Sequence, residues 1–202
     1  MLELAAETAS SWTKRPLALV AGLAGPTRQA IAEAETASSI GYHAGLLSLA
    51  AMKSASEDEI IAHCEAVARE IPLVGFYLQP AVGGVVLSAN FWRRFAEIDN
   101  VIAIKIAPFN RYRTLDVLRG VHAAGALDRI ALYTGNDDHI LLDLTLPSTC
   151  ATAGVPPGLI SRAACSVTGQ YGRKPQSRNS SVARWHATRT SSPPISWRWM
   201  PA

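Results

Sequence analysis

The first 146 residues predict an α/β fold with a parallel sheet, and three observations carry that prediction. Short apolar, β-rich runs recur at nearly constant spacing, each is followed by a helical pattern, and the runs are apolar on successive residues rather than on every second one. They begin at Pro16 (PLALVAGL), Ala44 (AGLLSLA), Pro72 (PLVGFYL), Val101 (VIAIKIA) and Arg129 (RIALYTG), with start-to-start spacings of 28, 28, 29 and 28. The repeating unit is therefore strand, loop, helix. Five such units fit two architectures: part of a (β/α)8 TIM barrel, or a doubly wound five-stranded parallel sheet. No GxGxxG or GxxxxGK[ST] follows any run, so no phosphate-binding loop speaks for the second, and the period alone leaves both open.

Helix boundaries agree with the period. Pro26 stands at a first-turn position after Gly25, and Gly41 closes that helix. Ser56-Glu57-Asp58-Glu59 reads as a capping box opening IIAHCEAVARE. Ser88 and Asn110 are N-cap residues for the next two helices, and Asn136 or Asp137 for a fifth.

Charge divides the chain where the pattern stops. All 16 acids lie in residues 1–143, while residues 144–202 hold 7 of the 19 Lys+Arg, so the front carries −4 and the back +7. From Pro147 the last 56 residues contain 7 Pro, 9 Ser, 5 Thr and 3 of the 5 Trp, with no periodic apolar face. The expected organisation is a partial TIM-barrel domain at 1–146 and an irregular basic tail at 147–202, which reads best as a GC-rich gene translated in a shifted frame. Seven basic groups spread over that length make too thin a patch for nucleic acid, so no nucleic-acid partner is expected.

Exported and membrane proteins are excluded on the same grounds of pattern. MLELAAETAS has acids where a secretory signal needs Lys or Arg, and LALVAGLAG (17–25) falls far short of the ~20 residues of a membrane helix. Three cysteines, Cys64, Cys150 and Cys165, show no CxxC spacing and read as reduced thiols in a cytoplasmic protein. His63 and His139 have no partners at ligand spacing and read as solvated or cap-adjacent, so no metal is expected.

Two residues point to chemistry. Lys105 lies between Ile104 and Ile106 near the end of a strand expected to be covered on both faces, where burying an ammonium is costly and the usual escape is a lowered pKa. Alternation puts Val101, Ala103 and Lys105 on one face and Ile102, Ile104 and Ile106 on the other. An amine there is placed to form a Schiff base with a ketone, although a lysine that snorkels out or pairs with a carboxylate fits the pattern as well. One repeat earlier, Tyr77 shares an alternating face with Leu73 and Gly75, also near a strand's C-terminal end, and its phenol could relay a proton. A half-buried core tyrosine with a bonded hydroxyl is the other reading.

FYLQPAVGG (76–84), VIAIKIAP (101–108) and LYTGNDD (132–138) together resemble strands five, six and seven of the dihydrodipicolinate synthase and N-acetylneuraminate lyase family of class I aldolases. In that family a strand-five tyrosine precedes a proline by three residues, the Schiff-base lysine ends strand six in an "I-K" context, and strand seven ends in a glycine-aspartate turn. Tyr77, Lys105 and Gly135-Asn136-Asp137 match by position. The resemblance spans about residues 10–146 and implies a partial barrel of about five βα units, with the doubly wound sheet as the alternative. It implies Lys105 as the imine-forming nucleophile, Tyr77 as the proton relay, and Gly135, Asn136 and Asp137 as substrate-binding positions at the mouth. It also implies a 2-oxo acid substrate of pyruvate type, an aldehyde co-substrate or product, no metal or organic cofactor, and a homo-oligomer for whole members.

Departures from the family pattern are equally specific. The family's strand-two Thr pair, which binds the substrate carboxylate, would lie upstream of Met1; Val82 stands where dihydrodipicolinate synthases proper have an arginine; and LAAMKSAS lacks the aromatic residues that reach a neighbouring subunit's relay. These departures predict a truncated, divergent lyase whose catalysis is impaired or lost, with a non-catalytic or association-only product as the alternative.

Overall fold

A computed structural model describes residues 1–12 and 17–145. Five strands, β1 (Val20–Leu23), β2 (Ala44–Leu47), β3 (Leu73–Leu78), β4 (Val101–Ala107) and β5 (Ala131–Thr134), pair in chain order, each parallel to the next. Helices α2 (Thr27–Ile40), α3 (Glu57–Ala68), α4 (Ala89–Glu97) and α5 (Arg111–Ala123) fill the connections between them, with α1 (Leu2–Trp12) before and α6 (Ile140–Thr145) after. A doubly wound sheet needs a point where strand order reverses. Among the described strands there is none, so the sheet is singly wound like the wall of a βα barrel, and successive right-handed crossovers keep the helices on one face. The boundary expected at 146/147 and the basic tail, with Cys150 and Cys165, lie outside the described residues.

The helices begin and end where their capping chemistry dictates. Pro26 is the N-cap of α2, and Gly41 ends it at φ 96°, a left-handed conformation that costs glycine nothing. Ser56 and Glu59 form the reciprocal capping box of α3, while Ser88 and Asn110 accept from the N–H of Phe91 and Arg113 at the starts of α4 and α5. The fifth cap differs: Asn136 turns its side chain inward and leaves α6 without it. No feature of the sequence reading anticipated α1, which buries none of its residues and is tied to the domain through the Tyr42 hydroxyl on the Leu2 carbonyl at 3.1 Å.

Among the described residues, helices cover one face of the sheet. Ala21, Leu23, Leu47, Leu73, Tyr77, Ile104 and Leu132 pack against Ile60 and Val67 of α3, Phe91, Trp92 and Phe95 of α4, and Val117 and Val121 of α5 in one apolar core. No described helix covers the opposite face: β1 alternates exposed and buried, β3 alternates buried and half-buried, and Val20 and Lys105 are exposed, while the small Ala44 and Ala103 on that face are buried. Strands buried on both faces were expected, and the apolar runs misled because Val20, Val74 and Phe76 lie on the uncovered face.

A second correction concerns β4. Leu73 pairs with Val101 but Val74 pairs with Ala103, so Ile102 is skipped as a bulge. Val101 therefore joins Ile104 and Ile106 in the core, and Ala103 and Lys105 face the other way.

The α4–α5 crossing sets the tightest packing. A Cβ on Gly120 would lie 2.5 Å from Trp92 Cβ, 2.6 Å from the Ala89 carbonyl oxygen and 2.7 Å from the Arg93 nitrogen, so backbone would have to move. Gly120→Ala should destabilise the domain by about 1–3 kcal/mol through overpacking, despite alanine's ~1 kcal/mol advantage in a helix interior. Urea unfolding of the two proteins measures it, and an unchanged or raised midpoint would contradict the packing described.

His63 is buried at 1% exposure rather than solvated, because α3 turns it toward α2, where Nδ1 meets the Thr27 hydroxyl at 2.9 Å and Nε2 has no partner. Burial holds its pKa below the ordinary histidine value, so the folded chain keeps it neutral. An unfolded histidine titrates near ~6.5, so this contribution is intact above about pH 6.5 and declines as pH falls from there toward the folded-state pKa. Unfolding midpoints should therefore drop more between about pH 7.5 and pH 5.5 in the wild type than in His63→Gln, and parallel pH dependences would rule the histidine out.

Candidate active site

Strand register assembles a row of three side chains on the open face. Lys105 of β4 is in register with Phe76 of β3 and with Tyr133 of β5, and residues in register on parallel neighbours project from the same side. The Lys105 Nζ lies 4.9 Å from the Phe76 ring centroid, a cation–π contact worth about 0.5–1 kcal/mol at an exposed site. Burial raises the pKa of the Tyr133 hydroxyl above the usual tyrosine value. Neither Phe76 nor Tyr133 was singled out from the sequence; the signal available was Leu132, whose place in the core sends Tyr133 to the other face.

Lys105 itself is exposed, not desolvated as expected, because the five described strands leave its face uncovered. Its stem is bounded by Gly135, where a Cβ would lie 3.4 Å from Lys105 Cε and 3.1 Å from Ala107 Cβ. A side chain at 135 would press on Ala107 and reach the lysine stem at contact distance. The Gly135 N–H continues the ladder to the Ile106 carbonyl at 2.7 Å, so the turn is fixed to the end of β4.

Tyr77 is not brought to Lys105. The bulge at Ile102 pairs Tyr77 with Ile106 and turns it to the helices, where its ring lies 4.9 Å from that of Trp92. Its hydroxyl donates to the Leu87 carbonyl at 3.3 Å and accepts from the Leu87 N–H at 3.4 Å, with 1% of the residue exposed. Desolvation raises its pKa, with the Leu87 backbone bond acting in the opposite sense. This is the position of a core tyrosine with a bonded hydroxyl.

The three turn residues divide by role. Asp137 is exposed at the mouth, whereas Asn136 is 3% exposed and engaged on every side. Its Oδ1 accepts from the Phe109 N–H at 3.0 Å, and its Nδ2 donates to Thr114 Oγ1 at 3.1 Å and Asp143 Oδ2 at 2.9 Å. Asp143 also accepts from the Thr134 hydroxyl at 2.7 Å and pairs with Arg111 at 3.1 Å. This network clamps Phe109, the one described non-glycine residue with positive φ (49°), onto the loop that follows Lys105. Asn136 thus shapes the mouth from behind. Cys64 is sealed in the core, where burial pushes its thiol to about 12, and takes no part.

A singly wound parallel βα sheet with helices on one face is the class of fold that the structure defines, and Lys105 lies near the C-terminal end of one of its strands, where βα-barrel proteins carry their sites. The sequence profile of the dihydrodipicolinate synthetase family matches residues 3–154, and the chain belongs to that family. Among solved structures it is similar to the chloride-inhibited dihydrodipicolinate synthase of Acinetobacter baumannii complexed with pyruvate, at 26% identity and TM-score 0.57, covering 71% of this chain and 50% of that one. It is also similar to the enzyme of Cyanidioschyzon merolae with lysine bound, at 23% identity and TM-score 0.58, covering 70% and 47%. A prophage protein of the family from E. coli K12, in complex with pyruvate, matches at 21% and 0.57, covering 70% and 48%. The chain spans about half the length of the solved structures it matches. No curated protein matches it.

Removing Asn136 tests its structural role. Asn136→Ala removes the acceptor of the partly buried Phe109 N–H and one of the two donors to the buried Asp143 Oδ2, and should cost about 1–3 kcal/mol, whereas Asp137→Ala at the exposed position should stay within about 0.5 kcal/mol. Denaturant unfolding of both variants checks the contrast, and equal small effects would mean that the network does not hold the mouth.

Proposed function

We propose that the chain carries out Schiff-base aldol chemistry on a 2-oxo acid of pyruvate type, cleaving it from or condensing it with an aldehyde, with Lys105 as the nucleophile. The observation that carries this reading is the placement of Lys105 on the uncovered face near the C-terminal end of β4, with Gly135 leaving its stem free. Membership of the family and the pyruvate complexes of two similar structures support the substrate class.

The unprotonated Nζ adds to the C2 carbonyl, the carbinolamine loses water, and the protonated imine draws electrons from the bond at C3 that forms or breaks. The imine is itself the electron sink, so the step asks for no metal or organic cofactor. Asp137 is exposed beside the turn, where the far end of a substrate would lie. Asn136 positions that turn rather than touching the substrate.

Turnover also depends on excluding water and holding the substrate, which together account for a large share of a barrier, ~7–11 kcal/mol for positioning alone. With Lys105 exposed, the 202-residue chain forms the imine slowly and turns over little.

Incubation with pyruvate and borohydride followed by peptide mapping tests the assignment. Lys105 should carry the reduced adduct, and Lys105→Ala should lose it. Adducts at Lys14, Lys53 or Lys174 in place of Lys105 would overturn the reading.

A further inference from the structure

We propose that Asp143 is the positioning residue of the Lys105 site: its carboxylate grips the two residues that flank Gly135, and Gly135 bounds the lysine stem. The proposal rests on the reading that Lys105 forms the imine. Asp143 Oδ2 accepts from the Thr134 hydroxyl at 2.7 Å and from Asn136 Nδ2 at 2.9 Å, so a single oxygen holds both neighbours of the glycine. The Asn136 N–H also donates to the Thr134 hydroxyl at 3.3 Å, which draws the turn tight around it. With 5% of the Asp143 side chain exposed, water competes little for these bonds.

Few contacts fix the exposed amine. On the β5 side the stem meets Gly135, where a Cβ would lie 3.4 Å from Lys105 Cε, and on the β3 side the Phe76 ring centroid lies 4.9 Å from Nζ. The β4–β5 pairing ends at Thr134, and past it one backbone bond, from the Gly135 N–H to the Ile106 carbonyl, ties the turn to β4. Asp143 adds a side-chain restraint from α6. A reacting group displaced by about 1 Å can lose about 100-fold in rate, so a loosened turn that lets the stem leave the Phe76 ring is enough to slow attack on a carbonyl.

The two carboxylate oxygens have separate partners. Oδ1 pairs with Arg111 at 3.1 Å, and that side chain, 34% exposed, can turn into water. Asparagine keeps one accepting oxygen, which can face Thr134 and Asn136, and gives up the charge that holds Arg111. Alanine gives up both. Stability and positioning are therefore separable at one position.

The first measurement reads position without chemistry. Reductive methylation places isotope-labelled methyl groups on the amines of the whole chain; the Lys105 resonance is the one lost in Lys105→Arg, and its displacement by the Phe76 ring is the part that disappears in Phe76→Leu. Asp143→Ala should shift that resonance toward its Phe76→Leu position. Thr134→Val should do the same, since it removes one donor with little change of shape, and it serves if Asp143→Ala does not fold. Asp143→Asn should leave the resonance in place although its melting midpoint falls, and so should Gly120→Ala, which is destabilised at the α4–α5 crossing.

The second measurement follows Lys105 adduct formation with pyruvate and borohydride. Asp143→Ala should lower the maximal rate about tenfold or more with the half-saturating pyruvate concentration within about twofold of wild type, and Asp143→Asn should recover the rate to within about threefold. An unmoved resonance in both Asp143→Ala and Thr134→Val, or Asp143→Asn as slow as Asp143→Ala, would overturn the proposal. Absence of any Lys105 adduct in the wild type would instead overturn the Schiff-base reading, while the resonance still decides whether Asp143 positions the amine.

Discussion

β3 and β4 pair with one residue skipped, Leu73 opposite Val101 and Val74 opposite Ala103, and this register decides which side chains share the Lys105 face. The bulge reconciles two alternations that are out of phase. β3 sends Leu73, Gly75 and Tyr77 to the helices, with Gly75 leaving the notch that Phe95 fills. β4 has its largest apolar residues at Ile104 and Ile106, which an unbroken pairing from Leu73–Val101 would turn to the open face. Exposing both isoleucines would forfeit roughly 3–6 kcal/mol of burial, against about 1 kcal/mol for an interrupted ladder bond. Burial wins, and one slipped residue moves every later side chain across the sheet.

Arg129 secures the base of that arrangement. Its guanidinium donates to the carbonyls of Ile98, Asp99 and Val101 at 3.3, 3.1 and 2.9 Å, and also to that of Ala96. One side chain thus holds the end of α4, the loop and the first residue of β4 together, immediately before Ile102. At the other end of the strand the Asn136–Asp143–Arg111 network holds the loop after Lys105. β4 is pinned at both ends, so the lysine near its end is positioned by the backbone ladder, with the Phe76 ring beside its amine.

How much of this was legible in the sequence follows from the range of each interaction. The repeat and the caps at Pro26, Gly41, Ser56, Ser88 and Asn110 are local or periodic, and residue type alone marks them, whereas the strand order rests on long-range pairing that the period leaves open. The bulge is not marked: VIAIKIA reads as seven regular residues, and only its pairing with LVGFYL reveals that Ile102 is surplus. Tyr77 was misplaced for that reason alone, since its grouping with Leu73 and Gly75 is correct. Asn136 escaped because its partners Thr114 and Asp143, and the Phe109 N–H, come from three other segments, and a turn asparagine looks the same whether it faces substrate or core. His63 looked solvated beside Glu65 and Glu59, yet the helix face that it shares with Ile60 and Val67 is the buried one.

What the geometry supplies to the chemistry is orientation of the lysine, and what it withholds is cover. Strands set Phe76, Lys105 and Tyr133 side by side at ladder spacing, a stiffer placement than any loop provides. Holding the amine against an aromatic ring costs it little mobility, because a cation–π contact is weak enough to be broken when a carbonyl arrives. In the proposed Schiff-base reading the open face works against the next steps, since water competes for the carbinolamine and screens the charge that develops on nitrogen. The same side chains under a covering layer would interact several-fold more strongly without moving, so the reactivity of Lys105 is set less by its neighbours in the row than by what lies above it.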